Sequence, residues 1–163
     1  MSNSKKEIMQ DIKFEINDIS FNVRSSCIIK DKWHKRVLLT NMRAITTHEA
    51  FLLPGGRLNL LENSKEAITR EIKEELNLNL DYKLISIEEN IAKEKQFHMI
   101  EFVYYAEIDN FDLVNNLDNG WDKFKIFDIN DIDSLDIKPK TIKDLIKQEE
   151  YKNISHNINC DWL

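Results

Sequence analysis

The positions Ile19, Phe21, Val23, Ser25, Cys27 and Ile29 alternate with a second set. That is the period-two pattern of a strand with one face in a core, and it points Arg24 the other way. A short apolar run, Val37 to Leu39, follows the turn-like KDKWHK and predicts the next strand of a hairpin. The segment His48 to Leu53 leads into Pro54-Gly55-Gly56, where a proline and two glycines predict a loop. From Asn63 to Leu76 the period changes. Ile68, Ile72 and Leu76 form an i, i+4 stripe, Asn63 and Glu66 have the spacing of a capping box, and Asn77 stands where a helix end turns left-handed. Leu84 to Ile91 and Met99 to Ile108 read as two long strands, the second with Ile100, Phe102, Tyr104, Ala106 and Ile108 on one side. A polar loop, Asp109 to Gly120, follows. After Trp121, KFKIFDIND predicts a last strand and turn, and Pro139 sits in the first turn of a helix running to about Gln148. The tail NISHNINCDWL reads as a short edge strand. Strands before, between and after helices, without strict alternation, predict an α/β fold with a mixed sheet covered by helices on both faces.

Composition changes this picture in two respects. A chain of 163 residues, 42% hydrophobic and 32% charged, is expected to fold as one domain spanning residues 1–163. With a formal net charge of -6, a broad basic surface for nucleic acid is not expected, nor is a stable nucleic-acid partner. An anionic ligand would then need a few local arginines or bound cations. Cys27 and Cys160 have neither CxxC nor zinc-ligand spacing, which fits a reducing cytoplasm. The first ten residues lack the apolar stretch of a signal peptide, and no apolar run approaches the roughly 18 residues of a membrane span.

The candidate chemistry lies in LPGGRLNLLENSKEAITREIKEELNL, residues 53 to 78. At about 100° per residue, Glu71, Glu74 and Glu75 share one arc of the predicted helix. Like charges at that spacing cost a few tenths of a kcal/mol each, and near the helix C-terminus the macrodipole costs acids about 0.3 to 1 kcal/mol more. A hard divalent cation reverses that sign, because Mg²⁺ or Mn²⁺ takes oxygen ligands and binds phosphates at the same time. The plainer alternative is a solvated Glu/Lys face.

The surrounding residues favour the first reading. Gly56, Glu62, Arg70, Glu71, Ile72, Glu74, Glu75 and Leu78 follow the spacing G-x5-E-x7-R-E-U-x-E-E-x-N-U, with U apolar, and this resembles the Nudix box. Six identities at ordinary residue frequencies make a chance match rarer than roughly one in a million per starting position. Two departures stand out: Asn77 replaces the usual box glycine, and Leu61 stands where many members carry another. Weaker resemblance extends from about Phe21 to Ile146, through Arg24, Leu53 to Gly56, His98, Phe102 to Tyr105, Trp121 and Pro139.

The resemblance implies an α/β/α sandwich with a central mixed sheet and a MutT-like pyrophosphohydrolase that uses Mg²⁺ or Mn²⁺. By carry-over, Glu71, Glu74, Glu75 and the carbonyl of Gly55 are metal ligands, and Arg70 orients a glutamate. Glu62 binds metal through water or supports Arg70. Glu71 is the first candidate for the base, with Glu101 as an external candidate that reads equally as an exposed strand acid. Arg24 and Arg57 are candidate phosphate contacts, and otherwise surface arginines. His48 and His98 read as structural or solvent-facing, and Trp121 and Tyr105 as base-stacking or core residues. The implied substrate is a small-molecule nucleoside diphosphate derivative, such as ADP-ribose or a nucleotide sugar, or a nucleoside triphosphate. The alternative is a catalytically silent, nucleotide-sensing module. Specificity is expected from the loops Asn41 to Ala50, Ala92 to Phe97 and Asp109 to Gly120, and a homodimer remains open.

Overall fold

The computed structural model describes residues 10–42, 48–114 and 123–160. Its centre is β2 (Ile19–Asp31), a strand long enough to serve several partners. Along one edge it runs parallel to β7 (Phe97–Ile108) from Ser20 to Asp31. The other edge is shared in turn by β1 (Lys13–Ile16), β5 (Gly55–Arg57) and β3 (Arg36–Asn41), all antiparallel. Among the described residues the sheet runs β4 (Phe51–Leu52), β3, β2, β7, β6 (Lys83–Ala92), β9 (Ser155–Cys160), with β8 (Phe124–Asp128) paired to β3. Both parallel and antiparallel pairs occur, so the sheet is mixed as expected.

Its two faces are covered by different helices. On one side α1 (Ser64–Leu76) lays Ile68, Ile72 and Leu76 against Cys27, Ile29, Leu38, Tyr104 and Ala106. Each such aliphatic side chain contributes about 1.5–3 kcal/mol on full burial. On the other side α2 (Thr141–Lys147) packs Ile142, Leu145 and Ile146 onto Ile28, Val37, Leu39 and Val103. Double coverage explains why β2 departs from the expected one-sided burial. From Ser25 to Asp31 every residue is buried, whichever way it points.

Local signals set most boundaries. The Asn63 side chain accepts the amides of Lys65 and Glu66 while Glu66 returns to the Asn63 amide, closing the capping box, and Asn77 turns left-handed at φ 54. Three expectations need correction. The Pro54-Gly55-Gly56 loop gives way at Gly55 to strand β5, because glycine lets its backbone lie against Ser25 and Ser26 of β2. Helix α2 starts at Thr141, with Pro139 in the turn before it, where its carbonyl accepts the Ile142 amide at 3.1 Å. Strand β1 was missed, although Asn17 and Asp18, at φ 50 and 66, form the two-residue positive-φ turn that Asn and Asp favour in hairpins. The tail does form an edge strand, parallel to β6. No helix among the described residues is long and apolar enough to cross a membrane.

Asp31 ties the β2–β3 turn together. Its buried carboxylate accepts the Lys35 amide at 2.9 Å and the Arg36 Nε at 2.9 Å. Burial pushes this carboxyl up, but the Arg36 guanidinium and the two turn amides outweigh it and hold it below the ordinary Asp value of 3.8. Stability from this group is therefore present above 3.8 and lost as pH falls through the lower folded value. Asp31→Asn is expected to lower Tm by about 3–9 °C at pH 7. In thermal melts across pH, that gap should close as pH falls through the lowered folded value; a gap independent of pH would exclude the ionised carboxylate as its source.

Candidate active site

Strand β5 and the turn after it deliver the acidic residues to one flank of α1. Ser25 donates its hydroxyl to the Ser64 carbonyl at 2.8 Å, and Ser64 shares a 2.7 Å hydrogen bond with Tyr104, so the first turn of α1 is pinned to the sheet. The intervening turn places Leu61 at φ 68, fully exposed. A leucine thus occupies the left-handed geometry for which a glycine would be the easier choice, and the turn still closes.

Arg70 is the hub of the cluster. Its Nε and Nη2 grip the two oxygens of Glu62 at 2.8 and 2.9 Å, a fork geometry that fixes both planes. The same guanidinium reaches the Arg57 carbonyl at 3.1 Å, Glu71 at 2.6 Å and, at 3.5 Å, Glu74. Glu62 also accepts the Asn59 amide at 2.8 Å, so it anchors the turn as well as the arginine. Glu62 pulls the Arg70 guanidinium further above its ordinary value against the opposing effect of burial, and the same arginine lowers the carboxyl of Glu62.

The three helix glutamates are not equivalent. Burial pushes the Glu71 carboxyl up, Arg70 opposes this, and the charges of Glu75 and Glu74 add to it. Glu71 lies directly over Gly56, where a Cβ would overlap its carboxylate. Glu74 is the exposed member, at 56%. Glu75 is mostly buried; one oxygen pairs with Lys123 and the other, also buried, has no hydrogen-bond partner. Among the described residues, no three Asp, Glu, His or Cys side chains converge on one point. The donor set still fits a hard divalent ion. It offers carboxylate oxygens, one of them a buried oxygen lacking a donor, beside a glycine that leaves room for Glu71.

The other predicted residues divide. Arg24 lies across the β2–β5 ladder, donating to the carbonyls of Leu53 at 3.2 Å and Gly55 at 3.3 Å, with Glu101 3.3 Å from its Nε. It is a largely buried bracket on the glycine turn rather than a surface arginine. Glu101 is 4% exposed, which overturns the reading of an exposed strand acid. Its neighbour Asn90 donates to it at 3.4 Å, and burial pushes its carboxyl up against the charge of Arg24. Arg57 is exposed and pairs with Asp11 at 3.2 Å. His48 faces solvent beside Asp136 at 3.0 Å, and His98 packs edge-on against Phe21. Tyr105 packs against Tyr151 and donates to Glu107 at 2.6 Å. Trp121 and much of the loops around residues 41–50 and 109–120 lie outside the described residues.

Two features were missed. Glu88, fully buried on β6, accepts Ser86 at 2.5 Å, Asn157 at 2.7 Å, Asn159 at 2.9 Å and Thr141 at 3.0 Å. With Asn90 and Glu101 it makes a polar seam across the sheet. The alternation Ser86, Glu88, Asn90 was a usable signal for one polar strand face, though not for its burial. Lys123 had no signal, because its partner Glu75 lies 48 residues away.

Comparison with known proteins agrees with this geometry. A family profile described as the NUDIX domain matches residues 21–148. A search of curated proteins gives no match. Among solved structures, a MutT protein from Bacillus halodurans is similar at TM-score 0.62 and 17% identity, covering 87% of this chain and 93% of that one. A NUDIX hydrolase from Nitrosomonas europaea is similar at TM-score 0.55 and 22% identity, covering 69% and 76%. NrtR from Shewanella oneidensis, solved with a 27mer DNA, matches at TM-score 0.62 and 13% identity over 77% of this chain and 58% of that one. The structures share the fold, with its α/β sandwich and mixed sheet, while the profile spans most of the sequence and includes the glycine turn, Glu62, Arg70 and the three helix glutamates: the chain belongs to the NUDIX family.

Proposed function

We propose that this chain, acting as a single domain, is a Mg²⁺- or Mn²⁺-dependent hydrolase of a diphosphate linkage in a small nucleoside diphosphate derivative or a nucleoside triphosphate. The observation that carries the reading is the packing of Glu71 over a glycine that has no side chain, with Glu74 and Glu75 on the same helix flank. Glu71, Glu74, Glu75 and the Gly55 carbonyl would hold the ion. Bound there, it supplies neutralising charge to phosphate oxygens and lowers the pKa of water.

The chain's own residues do the rest. Arg70, clamped by Glu62, sets the position of Glu71 and touches Glu74. Glu71, whose carboxyl is pushed up by burial, is the group suited to accept a proton from the attacking water. Arg24 acts indirectly, fixing the carbonyl of Gly55 from within the sheet, with Glu101 as its counter-charge. Arg57 is the arginine free to trade its exposed partner Asp11 for a phosphate oxygen.

A sensing module that binds nucleotide without turnover is the other reading. Retention of Glu62, Glu71, Glu74 and Glu75 together favours the hydrolase, since sensing alone would not require the full set. The discriminating experiment is a screen of nucleoside triphosphates, ADP-ribose, dinucleoside polyphosphates and nucleotide sugars with each metal. At least one should be cleaved at its diphosphate, and EDTA should stop the reaction. Tight nucleotide binding with no cleavage under either metal would reject the hydrolase and leave the sensor.

A further inference from the structure

Of the cations in the acidic cluster, Lys123 is the one held by a single ion pair, with the Phe124 ring 5.0 Å from its ammonium group. Arg70 is anchored by both oxygens of Glu62 and by the Arg57 carbonyl, so it stays in place whatever happens to Glu71 and Glu74. Lys123 sits immediately before β8, its backbone fixed by the Asn41 amide at 2.7 Å, and its ammonium group meets Glu75. Among the described residues no other ion pair of Lys123 is recorded. Its side chain is 47% exposed, while Glu75 keeps its second oxygen buried without a donor.

We propose that Lys123 is an internal counter-ion for the box, displaced from Glu75 when a divalent ion binds and then turned onto the substrate's diphosphate. This rests on the metal-dependent reading above. The charges around the helix flank support it: four carboxylates, of Glu62, Glu71, Glu74 and Glu75, face two cations, Arg70 and Lys123. The remaining two negative charges match one divalent ion. A metal at Glu75 and an ammonium group on the same carboxylate repel, and the lysine, a flexible point charge with one half-exposed ion pair, is the group that yields. Once released, it lies within side-chain reach of an anion that has just arrived with the metal. A phosphate oxygen suits an ammonium group as well as a carboxylate does.

The inference predicts opposite effects in one variant. In calorimetry without nucleotide, Lys123→Met protein should bind Mn²⁺ about two- to fivefold more tightly than wild type, the scale of one half-exposed ion pair. With Mn²⁺ saturating, the same protein should bind methylenediphosphonate, an uncleavable diphosphate mimic, about tenfold more weakly. Lys123→Arg should restore diphosphonate binding. A general loss of structure would weaken both ligands together, so it cannot mimic this pattern. Unchanged or weaker Mn²⁺ binding in Lys123→Met, with wild type binding normally, overturns the counter-ion; unchanged diphosphonate affinity overturns the transfer to phosphate. Failure of wild type itself to bind Mn²⁺ overturns the metal-dependent reading, and the inference with it.

Discussion

Glu74→Gln and Glu75→Gln proteins are expected to lose about a hundredfold or more in kcat while their melting temperatures stay within about 2 °C of wild type. The amide keeps the shape of each side chain and removes the charge a cation needs. Stability is nearly indifferent for a reason visible in the geometry. Both acids occupy the last turns of α1, where the macrodipole disfavours anions, so each neutralisation returns about 0.3 to 1 kcal/mol. Against this, Glu75→Gln gives up the Lys123 pair and Glu74→Gln the 3.5 Å contact with Arg70, ion pairs of about 0.2 to 1 kcal/mol. The two effects nearly cancel. Circular dichroism melts beside steady-state rates on whichever substrate the screen identifies provide the check, and unchanged turnover would remove these carboxylates from the site.

The adjacent glycines should behave in opposite ways. At Gly55, φ is 139°, and a Cβ would overlap the Ser25 carbonyl and lie 2.7 Å from Ser26 Cα. Backbone cannot swing aside, and an L-residue is strained at that φ. Gly55→Ala is therefore expected to cost roughly 3 kcal/mol or more and to lower Tm by about 6–12 °C. At Gly56 the obstacle is the end of the Glu71 side chain, which can rotate away. Gly56→Ala should cost at most about 1–2 kcal/mol but cut kcat by about a hundredfold, because Glu71 leaves its place beside Arg70. Denaturant melts and turnover measured on both variants test the contrast. A Gly56→Ala enzyme with wild-type kcat would show that the position of Glu71 is immaterial.

Much of the fold could be read along the chain, because the deciding forces act within four residues. The α1 stripe, its Asn63 cap and its Asn77 stop are all local, and all stand where the periodicity placed them. So do the long strands, apart from a residue or two at their ends, and an edge strand forms within the tail. The glutamates, Glu62 and Arg70 were legible for the same reason: an i, i+3, i+4 spacing fixes which side chains share a helix flank. Strand β1 was legible too, in its Asn-Asp turn, and was passed over.

Burial is where the sequence stopped short. Glu101 on β7 and Glu88 on β6 have the spacing of ordinary strand acids, and alternation predicts the face of such a residue without saying whether that face is covered. Coverage came from distant parts of the chain: α2 closes the second face of the sheet, and β9 brings Asn157 and Asn159 to Glu88. Arg24 likewise became a bracket for Gly55 only because β5 pairs with β2, a contact 31 residues long in sequence. By itself, then, the sequence determined the elements and the chemistry carried on one helix. Tertiary structure alone decided which charges are buried, which cation faces which acid, and that Lys123 meets Glu75, since those depend on the pairing of segments tens of residues apart, about which no local pattern carries information.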